Sequence, residues 1–174
     1  MRKFRLLKAS EIECRVARCT ENGVSLLLYK TARTDAALLD ETVGAERWEN
    51  DFKLIDGVLF GGLGVDYNGD GHFVWKWDAG TESNTEAEKG RASDAFKRAG
   101  FKHGIGRELY TAPFIWVKAS DTEIYDTKRK DKYGNPIYAC NARFTVRKIE
   151  YEDDAIIGLI IYSGRNCVYE YGYK

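Results

Sequence analysis

The chain has 174 residues, 44% hydrophobic and 31% charged, and its 27 basic and 27 acidic side chains cancel to a formal net charge of zero. That is the length of about one domain, apolar enough to bury a core and too apolar for a disordered segment. No run of about 18 apolar residues is present, so no transmembrane helix is expected. The basic start, MRKFRLLKASEIE, is interrupted by Lys8 and Glu11 and lacks the apolar centre of a secretion signal, which makes a cytoplasmic setting the expectation.

In chain order, Ser10-x-x-Glu13 has the form of a capping box and predicts a short helix to about Cys19. VSLLLYK, from Val24, is nearly continuous in apolar residues and reads as a strand buried on both faces. A helix is expected over Asp35 to Val43, stopping at Gly44. Trp48 opens a strand-rich stretch in which DFKLID, VLFGGLGVDY and HFVWKWD are joined by Asp56-Gly57 and Asn68-Gly69-Asp70-Gly71, both good hairpin turns. In the last of these strands Phe73, Trp75 and Trp77 share one face. A second capping box, Thr85-x-x-Glu88, starts a long helix to about His103. After Pro113 come FIWVK and three further strand-like runs, PIYACNARFTVRKIEYE, AIIGLIIYS and NCVYEYGY. The expected fold is α+β: an antiparallel β-meander packed against the long basic helix as a β-β-β-α core, with further antiparallel C-terminal strands. No linker composition interrupts the chain, so residues 1–174 read as a single domain.

Several motifs resemble sites without completing them. Asp66-Tyr-Asn68-Gly-Asp70-Gly71 begins like a calcium loop, but the twelfth position, where a bidentate Glu belongs, is Trp77. Gly61-Gly62-Leu63-Gly64 lacks phosphate-loop spacing and precedes no helix. Cys14, Cys19, Cys140 and Cys167 form no CxxC pair, so neither zinc nor a disulfide framework is expected. Asp35, Asp40 and Asp78 are candidates for a metal-dependent nuclease, with no distinguishing spacing. Lys128-Arg129-Lys130-Asp131-Lys132 reads as a hairpin tip.

Charge along the chain is segregated. Asp78 to Glu88 holds four acids and no base, whereas Lys89 to Arg107 holds six bases and one acid. On a helix, Ala92, Ala95, Phe96, Ala99 and His103 form a stripe of mostly small residues that must face the sheet. Arg91, Arg98 and Lys102 form a second stripe, and Lys97 lies about 100° from Arg98, at the other edge of the exposed surface. A neutral chain with one basic groove fits sequence-independent binding of nucleic-acid phosphates, driven by counterion release.

Lys89-Gly-Arg-Ala-Ser93-Asp94-Ala-Phe-Lys97-Arg98-Ala99 resembles the signature helix of the Rad-fifty-two type of single-strand annealing proteins, including the phage Sak group. Upstream, Arg33, Leu38-Leu39-Asp40-Glu41-x-x-Gly44 and Trp48 are similar to that family's Arg, helix, Gly and Trp segment, and Asp78-Ala-Gly80 to its Asp-x-Gly. The resemblance spans about Val24 to Ile105. It implies DNA binding and annealing of complementary single strands in recombination or double-strand break repair, without bond chemistry, cofactor or metal. It implies a homo-oligomeric ring whose groove holds single-stranded DNA through Arg33, Lys97 and Arg98. Phe101 stands where the family has a further Arg, and Lys102 is the expected substitute. The family's outer DNA site has no basic match in Glu82 to Glu88. The expected partners are single-stranded DNA, other copies of the chain, and a single-strand-binding protein or nuclease, in the cytoplasm of a bacterial host of a phage or prophage. The alternatives are a small metal-dependent nuclease and a structural oligomer without DNA binding.

Overall fold

A computed structural model describes residues 4–81 and 87–173, with residues 87–89 described through the backbone alone. The architecture mixes two α-helices with strands whose pairings, among the described residues, are all antiparallel. No helix among the described residues is long and apolar enough to cross a membrane. The chain divides into two compact units: Leu7–Tyr29 with the residues from Glu108 onward, and Lys30–Arg107 with the residues before Leu7. No change of composition marks these boundaries.

The unit that begins at Leu7 is built on a six-stranded sheet. Its strands are β1 (Glu13–Thr20), β2 (Gly23–Tyr29), β6 (Ile115–Lys118), β9 (Phe144–Glu152), β10 (Ala155–Ser163) and β11 (Asn166–Tyr171), in the order β11-β10-β9-β1-β2-β6. The helix expected from Ser10 to Cys19 is not formed. Ser10 lies inside a 3₁₀ turn at Ala9–Glu11 whose cap is instead Glu11 Oε2 accepting the Lys8 N–H at 2.7 Å, and Glu13 opens β1. Beyond that turn Cys14, Val16 and the residues around them alternate in exposure, and β1 pairs with β2 along most of its length. A ladder of cross-strand partners outweighs one local cap. Nor is β2 buried on both faces: Val24 and Leu26 are buried, while Leu27 is 48% exposed.

AIIGLIIYS forms β10, between β9 and β11, where Ile156, Leu159 and Ile161 are buried within the chain itself. PIYACNARFTVRKIEYE, read as one run, is two strands, β8 (Pro136–Cys140) and β9. A strand absent from the expectation, β7 (Ile124–Lys130), pairs with β8 as a separate two-stranded ribbon. IYDTKRK carries four charges and no apolar alternation, so no sequence pattern announces that strand.

In the other unit, α1 (Ala32–Val43) begins three residues before the expected start. Thr31 is its cap, with Oγ1 accepting the Thr34 N–H at 3.2 Å. Its end is set by Gly44, at φ 97°, whose N–H returns to the Asp40 carbonyl at 3.0 Å. Leu38, Leu39 and Val43 form its buried stripe. β3 (Trp48–Ile55), β4 (Val58–Val65) and β5 (Val74–Ala79) follow as a sheet in chain order. Asp56 and Gly57 both have positive φ, 50° and 77°, as the two-residue turn between β3 and β4 requires.

α2 (Ala87–His103) crosses this sheet. Its capping residue Thr85 lies outside the described residues. Ala95, Phe96 and Ala99 are buried, and a Cβ at Gly61 of β4 would stand 2.8 Å from the Ala95 Cβ. Close approach, not dihedral freedom, calls for glycine there. On the opposite face of β4 a Cβ at Gly62 or Gly64 would come within 2.6 Å of the indoles of Trp77 and Trp75, which stack on each other at 5.6 Å. The shared face expected for these two tryptophans is thus observed, and Gly61-Gly62-Leu63-Gly64 is a strand segment thinned on both sides.

Candidate functional site

The nominated cations lie on both flanks of α2. On one flank α2 meets α1. Asp35, fully buried, sits so close to Gly100 that a Cβ there would be 2.8 Å from Asp35 Oδ2. That oxygen accepts from Lys30 Nζ at 2.5 Å, and Lys30 is itself only 7% exposed. Burial pushes the Asp35 carboxyl up to about 6, with Lys30 and then Lys97 pulling it back down. Lys97, half-buried, therefore feels Asp35 from the neighbouring helix. Arg33 is exposed on the same first turn of α1 that carries Asp35. The structure thus places the first turn of α1, through Asp35, beside the Lys97–Gly100 stretch, bringing together two segments more than sixty residues apart in the chain.

On the other flank α2 overhangs β5. Arg98 Nε and Lys102 Nζ each lie 3.4 Å from an oxygen of Asp78, and Lys102 Nζ also donates to the Trp77 carbonyl at 2.5 Å. Burial raises the Asp78 carboxyl, but the Ala79 N–H, Arg98 and Lys102 more than reverse this and hold it below its ordinary value. Both cations remain nearly half exposed. They are gathered by a carboxylate at the helix edge without being buried by it. The Asp78 pairing has no sequence signal, because the register of α2 on β5 is a tertiary fact.

Other bases in the segment have structural work. Arg107 donates to the carbonyls of Phe101 and Lys102, both at 2.8 Å, capping the end of α2 and lying over the Phe101 ring. Phe101, where the resemblance implies a further Arg, is a platform for that cap. His103 is fixed between Tyr67 Oη, 2.7 Å from Nδ1, and the Leu63 carbonyl, 2.8 Å from Nε2. A carbonyl can only accept, so Nε2 carries the proton and Nδ1 accepts from Tyr67. Burial lowers the His103 pKa, with the Leu63 carbonyl opposing.

The acids considered for metal chemistry are dispersed. Asp35 is paired with Lys30, Asp40 accepts from the Trp48 indole at 2.7 Å, and Asp78 faces Arg98 and Lys102. Among the described residues no group of three His, Cys, Asp or Glu side chains could hold a metal ion. In the calcium-like loop, Asp66 turns inward to accept the backbone N–H groups of Asn68, Gly69, Asp70 and Gly71, so its carboxylate organises the turn. The four cysteines are free thiols, and burial pushes Cys14 up to about 12, leaving it a packing residue. No family model, curated protein or solved structure matches this chain.

Proposed function

We propose that the protein binds single-stranded DNA along α2 and anneals complementary strands, as a non-catalytic homo-oligomer of recombination or double-strand break repair. The observation that carries this reading is the convergence of the first turn of α1, which carries Arg33, with the Lys97–Gly100 stretch. These are the two segments that resemble the Rad-fifty-two and Sak type in sequence. In this reading β3–β5 and α2 are that family's β-β-β-α core, and α2 is its basic helix. Arg33, Lys97, Arg98 and Lys102 serve the phosphates, the last two on releasing Asp78. Exposed ion pairs of that kind are worth about 0.2–1 kcal/mol, so a phosphate competes readily for the same cations.

Annealing needs strands held by their backbones with the pairing edges free. Cations on phosphates supply that affinity without reading sequence, and many subunits in register multiply weak contacts. The test is annealing of complementary fluorescent oligonucleotides by purified protein in EDTA. Acceleration over the spontaneous rate is the expected result. No acceleration in EDTA, or strand cleavage when a divalent metal ion replaces the EDTA, would refute the proposal.

A further inference from the structure

We infer that the β7–β8 ribbon is a second contact for single-stranded nucleic acid, separate from α2. Its strands run to Lys130, paired with Pro136, and the tip between them is wholly exposed. Ile124 to Cys140 holds four bases and two acids, and both acids are engaged. Asp131 Oδ1 accepts the N–H groups of Tyr133 at 2.8 Å and Asn135 at 2.9 Å, and its Oδ2 accepts Asn135 Nδ2 at 3.1 Å. Asp126 closes the irregularity in β7, accepting the Lys128 N–H at 2.7 Å and pairing with Lys128 Nζ at 3.2 Å. Thr127 Oγ1 completes it, donating to the Ile137 carbonyl at 2.6 Å and accepting the Arg129 N–H.

The consequence is a fixed tip with surplus charge. Among the described residues Arg129, Lys130 and Lys132 have no acidic partner, although all three project from a ribbon whose acids hold its shape. At the end stands Tyr133, 76% exposed, with Lys132 Nζ 4.9 Å from the ring centre. Exposed cations in a row suit a phosphodiester backbone. A large exposed ring beside them suits the face of an unpaired base. A duplex offers the phosphates but keeps its bases stacked, and an anionic membrane offers neither base nor fixed spacing. The combination therefore favours a single strand. The choice of DNA among single strands rests on the proposed function; the geometry of the tip does not.

The test uses the full chain with a fluorescent single-stranded oligonucleotide, the matching duplex and anionic phospholipid vesicles. Two ribbon variants, Arg129→Ala/Lys130→Ala/Lys132→Ala and Tyr133→Ser, are compared with Lys97→Ala/Arg98→Ala, each checked for an unchanged thermal midpoint. The triple variant is expected to lose about tenfold or more in single-strand affinity, and its log–log salt slope to flatten by about 2, at roughly 0.7 per phosphate contact. Tyr133→Ser is expected to lose about fivefold or more on the single strand and nothing on the duplex. Wild-type affinity and slope in the triple variant would overturn the inference while leaving the α2 reading intact. Loss in the triple variant with none in Lys97→Ala/Arg98→Ala would uphold the ribbon and refute α2. Equal loss of single strand and duplex in Tyr133→Ser, or loss of vesicle binding alone, would overturn the single-strand assignment.

Discussion

Asp78 and His103 show how single residues divide the labour around α2. Asp78 competes with any phosphate for Arg98 and Lys102. One unit charge at about 4 Å in water is worth about 1 kcal/mol, so Asp78→Asn is expected to raise single-strand affinity about fivefold at low salt. Unchanged or weaker binding in a filter or anisotropy titration would mean that those two cations do not meet phosphate. His103 is held neutral by burial, with Lys76 and Arg107 helping and the Leu63 carbonyl opposing. Its folded pKa is depressed, so its contribution to stability is present above about 6.5 and is lost as pH falls through the lower folded value. Urea unfolding of the wild type between pH 7.5 and 5 should show a decline that His103→Gln lessens; parallel profiles would contradict the assignment. The buried Lys30–Asp35 pair makes a different demand. Asp35→Asn strands Lys30 without a counter-charge, and a loss of about 3–5 kcal/mol at neutral pH is expected.

At the scale of elements, α2 depends on glycines that let it approach its neighbours, among them Gly61 in β4 and Gly100 in the helix itself. Helix propensity alone makes Gly100→Ala stabilising by about 1 kcal/mol. Its Cβ would stand 2.8 Å from Asp35 Oδ2, which the bond to Lys30 and complete burial keep from moving. Overpacking of a rigid site costs about 1–3 kcal/mol, so the clash prevails and the variant is expected to unfold at lower denaturant. A more stable variant would show that α1 and α2 sit farther apart. The same elements show what the sequence makes legible. α2's buried stripe, the Asp56-Gly57 turn and the Trp75–Trp77 face follow from periodicity and turn chemistry, which are local. The β1 strand is not legible because one capping pattern is a weaker determinant than a ladder to β2. The β7 strand leaves no sequence signal because an exposed ribbon needs no apolar alternation. Lys30 and Asp78 went unassigned as partners because their meaning depends on which helix packs against them.

At the scale of the whole molecule, Ile156, Leu159 and Ile161 of β10 are buried within the chain, while Ile157 is 41% exposed. The unit built on β3–β5 supplies a candidate surface for self-assembly. Ile55, Val58 and Trp75, on the face of β3–β5 away from α2, are 50%, 43% and 38% exposed. If this face is covered by another copy, native mass spectrometry should show a large homo-oligomer in the wild type and smaller species in Trp75→Glu. Monomer alone at micromolar concentration would contradict the assembly. The central claim, that α2 holds phosphates, is tested most directly by the salt dependence of single-strand binding in Lys97→Ala/Arg98→Ala. The account predicts an assembled, folded variant that has lost most of its affinity, with a log–log slope flatter by about 1.4, at roughly 0.7 for each of two contacts. An assembled variant with wild-type affinity and slope would contradict it.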